Sequence, residues 1–268
     1  MRKHGVTDDN LVSAEIVTAG GERLHVDRDH HADLFWSIRG GGGNFGVVTT
    51  FEFILHPVGP LVTADLVVFP FDQGRSLLRQ YRDYVDALDE SVSVWAVLRG
   101  AAPLPFLPES VHGTGIVALP FFSPQPLEQV QDALATVRGF GSPIGEHVGA
   151  VPYAAWQQAF DPLLVPPARN YWKSHNFNTL SDAAIDGVVD YAGRLPSTES
   201  EIFLRLIGGA ANARRPDETA YPHRAALYAM NVHTRWDLPA EDAGCLAWAH
   251  EFSKLPRRMR PAGCTSIS

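Results

Sequence analysis

Four consecutive glycines, Gly40 to Gly43, followed by Asn44, Phe45 and Gly46, are the residues of this chain whose type and spacing most invite a chemical reading. A main chain without Cβ atoms lets a flat ligand approach closely, and the N–H and C=O groups of an adjoining strand can then bond to a ring edge directionally. Gly41, Gly43 and Gly46 also satisfy the G-x-G-x-x-G spacing. That fingerprint works only where a strand precedes the glycines and a helix N-terminus follows to receive a pyrophosphate. Here a helical pattern precedes and a strand pattern follows, so the dinucleotide reading fails on element order. With Val48 the run fits a kinase glycine loop too, but no matching catalytic loop or metal-binding tripeptide comes after it. A flexible connector is the plain alternative; Phe45, Val47 and Val48 directly beside the run argue against it.

Other side chains could act on a substrate. Tyr171, Lys173 and His175 alternate along one face of a strand, as do Asn231, His233 and Arg235 along another. Either polar face could line a cavity or simply meet water. Lys173 is the first choice for a substrate-side residue and His175 the second. No metal is expected: His30 and His31 are adjacent and so point apart, and no helical zinc spacing accompanies them. Cys245 and Cys264 sit in no paired-thiol spacing, which excludes a disulfide framework. Tyr81, Tyr84 and Leu88, at helical spacing with Leu77 and Val85, read as core.

The elements that must position these groups follow from periodicity and punctuation. Val12 to Thr18, the Gly20-Gly21 turn and Arg23 to Val26 make a hairpin. Asp29 to Arg39 is a short helix before the glycines, and Val47 to Leu55 is the strand after them. His56-Pro57-Val58-Gly59-Pro60 punctuates a domain boundary, giving residues 1–59 and 60–268. Beyond it, strands are expected at Val62 to Phe69, Val92 to Arg99, Gly115 to Leu119, Tyr171 to Phe177, Glu201 to Ile207 and Leu227 to Thr234. Helices are expected at Gly74 to Leu88, Leu127 to Val137, Ser181 to Leu195 and Ala240 to Phe252. The order implies an α+β layered fold.

Of the 268 residues, 45% are hydrophobic and 19% charged, the balance of a packed globule. A net charge of -8 disfavours nucleic acid as the natural partner, since phosphate binding needs clustered Lys and Arg; the short Arg257-Arg258 pair does not reverse this. No apolar run approaches the roughly 20 residues that span a bilayer, so no membrane partner is expected. The cytoplasm is the default compartment, with the true N-terminus expected upstream.

Several ordered segments together carry a resemblance. Gly5-Val6-Thr7-Asp8-Asp9-Asn10-Leu11-Val12-Ser13-Ala14, Ala32-Asp33-Leu34-Phe35-Trp36-Ser37-Ile38-Arg39, the glycine run and Phe51-Glu52-Phe53 closely resemble the berberine-bridge-enzyme-like FAD-linked oxidases of the vanillyl-alcohol-oxidase superfamily. The likeness continues more loosely through Arg169 to Ser174, Ile207 to Ala210 and Trp248-Ala249.

What this implies is an FAD cofactor and oxidation of a small alcohol or amine, with hydride passing to the flavin and oxygen as the electron acceptor in an oxidase. The fold implied is the C-terminal part of a PCMH-type FAD-binding domain, followed by a substrate domain whose large antiparallel sheet is backed by helices and whose open face covers the flavin. By the same resemblance Gly43, Asn44, Phe45, Gly46, Val47 and Val48 lie beside the FAD, and Asn10 belongs to a motif near it, although a turn-forming role explains Asn10 as well. The family's pyrophosphate loop and its flavin-tethering His and Cys lie upstream of Arg2, and its catalytic Tyr lies beyond Ser268. The chain is therefore expected to be incomplete at both ends, with no assignable catalytic residue and with exposed apolar surface. The alternative is an inactive remnant that serves as a small-molecule binding or interaction module.

Overall fold

In a computed structural model of the chain, residues 1–85 and 87–254 are described; Arg257-Arg258, Cys264 and the segment 263–268 lie outside them. Two compact units emerge, one formed by Met1–Pro57 with Ile207–Leu227, the other by Val58–Leu206 with the chain from Tyr228 onward. The first ends two residues before the expected boundary. It also takes in 207–227, a segment that a linear division leaves in the substrate domain.

The first unit is built on a three-stranded sheet of order β2-β1-β3. Strand β1 (Leu11–Val17) is central, β2 (Arg23–Val26) returns beside it, a short helix α1 (Ala32–Ile38) follows, and β3 (Val47–Phe53) pairs antiparallel with the other side of β1. Leu11, Ala14 and Ile16 of β1 join Val26 and Phe35 in its core. The segment 207–227 is fastened here by a buried ion pair: Arg224 donates from Nη1 and Nη2 to the two carboxylate oxygens of Asp9 at 2.9 and 2.6 Å. Arg224 also bonds the Ala211 carbonyl and the Thr219 hydroxyl, so the charge is nearly surrounded by acceptors. Further along, Trp36 Nε1 donates to the Asp217 carbonyl at 2.8 Å, and Arg39 donates to that of Glu218.

The second unit is an eight-stranded antiparallel sheet of order β7-β4-β6-β5-β10-β11-β9, with β8 also paired to β4. Its members are β4 (Leu61–Pro70), β5 (Ser93–Gly100), β6 (Gly115–Ser123), β7 (Gly145–Glu146), β8 (Gly149–Pro152), β9 (Arg169–Phe177), β10 (Glu201–Leu206) and β11 (Tyr228–Trp236). The helices are α2 (Gly74–Val85), α3 (Leu127–Arg138), α4 (Tyr153–Gln158), α5 (Asp182–Ala192) and α6 (Asp242–Phe252). The fold is α+β, as the element order implied, with a large antiparallel sheet backed by helices, as the resemblance implied.

Alternation decides which face is covered. In β10 and β11 every second residue (Ile202, Leu204, Leu206; Tyr228, Met230, Val232, Thr234, Trp236) is buried and the residues between are only half-buried. Helix α2 lays Leu77, Leu78, Tyr81 and Val85 against the buried face. The Tyr81 hydroxyl donates to the Val94 carbonyl and accepts from the Leu206 N–H, joining β5 to β10. Outside, Arg75, Arg79 and Arg82 on α2 meet Asp190, Asp186 and Asp182 on α5, the reversed order showing that the two helices run antiparallel. Ser181 caps α5 by accepting from the Ala184 N–H.

The opposite face is only partly covered. Leu104, Phe106, Leu107 and Val111 pack over Val68, Val97, Ile116 and Ala118, and Trp156 of α4 packs over Val62 and Ala64. The two-residue β7, β8 and α4 are elements that periodicity did not predict, being too short to show a period.

Candidate functional site

The glycine crossing lies within the first unit and is shaped by two tight contacts. At Gly40, φ is +111° and a Cβ would stand 2.5 Å from the Tyr221 N. At Gly46, φ is +148° and a Cβ would stand 2.4 Å from the Val17 carbonyl oxygen. Only glycine allows both approaches. Gly43, by contrast, has open space where a Cβ would be. Gly43, Asn44, Phe45 and Val47 are exposed, while Gly46 and Val48 are half-buried.

Beyond the crossing, β3 is an edge strand: β1 is its neighbour on one side, and no described strand pairs with the other. It nevertheless shows apolar side chains, with Val47 69%, Phe51 55% and, just past its end, Leu55 88% exposed. Edge strands of soluble proteins normally carry charge or proline instead. The run therefore delivers a row of main-chain N–H and C=O groups flanked by apolar surface, the donor set that an extended aromatic ring system with polar edges would use.

Asn10 has a different occupation. Its Nδ2 donates to the carbonyls of His4 and Val6 at 2.9 and 3.0 Å, and its Oδ1 lies 2.7 Å from His56 Nε2. The amide clasps the N-terminal turn to the end of β3, where the His4 and His56 rings stack at 3.7 Å. Burial, then the facing His56, holds His4 below the usual imidazole range. Asn10 thus ties the N-terminal turn to the residues that follow β3.

In the second unit, register separates residues that alternation alone left equivalent. Tyr171, Lys173 and His175 stand directly opposite Thr234, Val232 and Met230, so they share the helix-backed face. The Tyr171 hydroxyl meets His250 Nε2 of α6 at 2.7 Å, and Lys173 Nζ lies over the Tyr171 ring at 5.2 Å. Asn231, His233 and Arg235 point to the other face. There a transverse row crosses four neighbouring strands: Arg99 on β5 pairs with Glu201 on β10, Glu201 with His233 on β11, and His233 with Trp172 on β9.

The row is chemically continuous. Arg99 Nη1 donates to Glu201 Oε2 at 2.9 Å, Glu201 Oε1 lies 3.0 Å from His233 Nδ1, and the His233 and Trp172 rings stack at 4.3 Å. Arg99, Glu201 and Trp172 were not singled out from sequence. Each alternates unremarkably in its own strand, and only the pairing register aligns them.

His30 and His31, set aside as ligands, lie at the surface, with His30 Nδ1 3.0 Å from the Asp27 carboxylate. Cys245 is buried in α6, and burial pushes its thiol up.

No family model matches the chain. It is 26% identical over 254 residues to the FAD-linked oxidoreductase YgaK of Bacillus subtilis (strain 168), covering 92% of this chain and 54% of that one. It is 25% identical over 288 residues to tetrahydroberberine oxidase of Berberis wilsoniae, covering 97% of this chain and 51% of the relative. The chain thus spans about half the length of these relatives. Among solved structures, berberine bridge enzyme from Eschscholzia californica superposes with a TM-score of 0.82 at 19% identity, over 98% of this chain and 54% of that one. Ordered motifs, near-complete coverage of this chain and a shared fold agree in making the chain similar to the berberine-bridge-enzyme-like FAD-linked oxidoreductases.

Proposed function

We propose that this chain carries part of the FAD site and the substrate-binding sheet of an oxidoreductase that oxidises a small alcohol or amine. The observation that carries the reading is the free edge of β3, delivered by the glycine crossing with main-chain groups and apolar side chains both exposed. Gly43 to Val48 would hold the cofactor through main-chain groups, and Asn10 would fix the strand that presents them. Bound flavin would supply the hydride acceptor. The chain's own contribution is to bind and orient: the uncovered stretch of the second unit's sheet offers Trp172, Asn231 and His233 to a small molecule. Lys173 and His175, first choices on alternation, lie on the helix side at the edge strand and would reach a ligand only from the rim.

Relatives named for tetrahydroberberine and monolignol support a small organic substrate. Titrating FAD into the purified chain while following flavin fluorescence tests the reading. Saturable quenching, with all colour released on denaturation, is expected; no uptake of FAD overturns it. A second reading, a small-molecule binding module without redox chemistry, is favoured by a cavity that residues of the second unit line by themselves. Ligand binding without FAD uptake would select it.

A further inference from the structure

On the uncovered part of the second unit's sheet, Arg99, Leu163, Leu164, Trp172, Glu201 and His233 help line a cavity of about 90 Å³. A single water needs roughly 10–15 Å³ of such space, so the cavity admits a ligand group of several atoms. Its polar end is unusual. His233 Nε2 is buried and has no hydrogen-bond partner among the described residues, although the ring's other nitrogen is engaged by Glu201. A carboxylate can only accept, so Nδ1 carries the proton, and in the neutral ring Nε2 presents a bare lone pair. The ring has little freedom to turn away, since Trp172 stacks on it at 4.3 Å and Phe203 lies parallel at 6.2 Å.

The surrounding charges are already matched. Glu201 is shared between Arg99 and His233, and Arg235 Nε lies 3.4 Å from Glu199. The charges are paired among themselves, and of the two polar atoms here that lack a hydrogen-bond partner among the described residues, Arg235 Nε is a donor, whereas His233 Nε2 is the atom that a neutral O–H donor would satisfy. Leu163, Leu164 and the half-exposed Trp172 make the remaining wall apolar.

We propose that this cavity is a binding site for a hydroxyl group on an apolar ring, with His233 Nε2 accepting its hydrogen bond and the Arg99–Glu201 pair fixing the tautomer. The assignment names the ligand chemistry of the substrate surface proposed above and rests on that reading for its role in turnover.

Phenol and anisole are suitable probes, differing only in the methyl group that replaces the donor hydrogen. In the full chain with ¹⁵N-labelled histidine, His233 is expected to show a protonated Nδ1 and an unprotonated Nε2, and phenol is expected to move the Nε2 resonance saturably. Phenol should bind on the order of tenfold more tightly than anisole, the ratio one neutral hydrogen bond supplies. In His233→Phe, which keeps the stack on Trp172, the ratio should fall to about one. Equal affinities, a protonated Nε2, no saturable shift, or a preference that survives the substitution would each overturn the proposal; the first three are read on the unsubstituted chain and do not depend on the variant folding. None of these readouts needs cofactor. Phenol selectivity without FAD uptake would therefore sink the flavin reading alone, and FAD uptake without selectivity would sink this one.

Discussion

Asp9 and Arg224 lie 215 positions apart in sequence and form a bidentate ion pair whose side chains are 1% and 3% exposed. Removing one partner strands the other charge in a dry environment, which costs about 3–5 kcal/mol. Asp9→Asn and Arg224→Met are each expected to lower the urea midpoint accordingly. The double substitution should cost less than the sum, and additive losses would show that the two charges are not coupled.

The two kinds of glycine in the crossing should respond differently. Gly46→Ala forces a Cβ onto the Val17 carbonyl at a positive φ and is expected to destabilise the chain by about 1–3 kcal/mol. Gly43→Ala meets nothing within 4 Å and should leave the melting temperature unchanged. If main-chain contact at Gly43 holds the flavin, that same variant should weaken FAD binding, as read by fluorescence quenching. Unaltered affinity would move the contact elsewhere on β3.

Acid should loosen the end of the second unit's sheet. Asp242 accepts from Arg169 Nη2 at 2.6 Å and from Trp236 Nε1 at 2.7 Å, and Arg169 first, then Trp236, holds its carboxyl below the usual range. A depressed value means the contact contributes fully above the ordinary aspartate range and is lost as pH falls through the folded-state value. The part of the tryptophan emission that Trp236→Phe removes should therefore shift only in the strongly acid range. In Asp242→Asn that transition should be absent.

The bare apolar edge of β3 predicts association. Val47→Lys places a charge where 69% of the side chain is exposed, and it should reduce concentration-dependent light scattering without lowering the melting temperature. Scattering equal to that of the unsubstituted chain would show that the edge is not the sticky surface.

Where a single strand or helix buries one face, its residues announce it. Glu201–Leu206 and Tyr228–Trp236 alternate cleanly, and Leu77, Leu78, Tyr81 and Val85 repeat at helical spacing, so those elements were legible to within three residues. The crossing was legible because two of its backbone positions tolerate no Cβ. The Arg99–Glu201–His233–Trp172 row was not, because a single strand shows which residues share a face but not which face the helices cover. That choice is made by pairing between strands far apart in the chain, and it put Lys173 and His233 on opposite sides. The capture of 207–227 by the first unit was hidden for a related reason: Arg224 reads as one more surface arginine until Asp9 is beside it.

That capture has a consequence for synthesis. A ribosome releases Asp9 early and Arg224 only after β4 to β10 have already emerged, so the N-terminal sheet must wait, unfinished, while the larger unit threads through the middle of its sequence. A nascent chain stalled before residue 224 would expose Asp9 without its counter-charge, and cutting the gene at Pro57 would yield a piece that never completes.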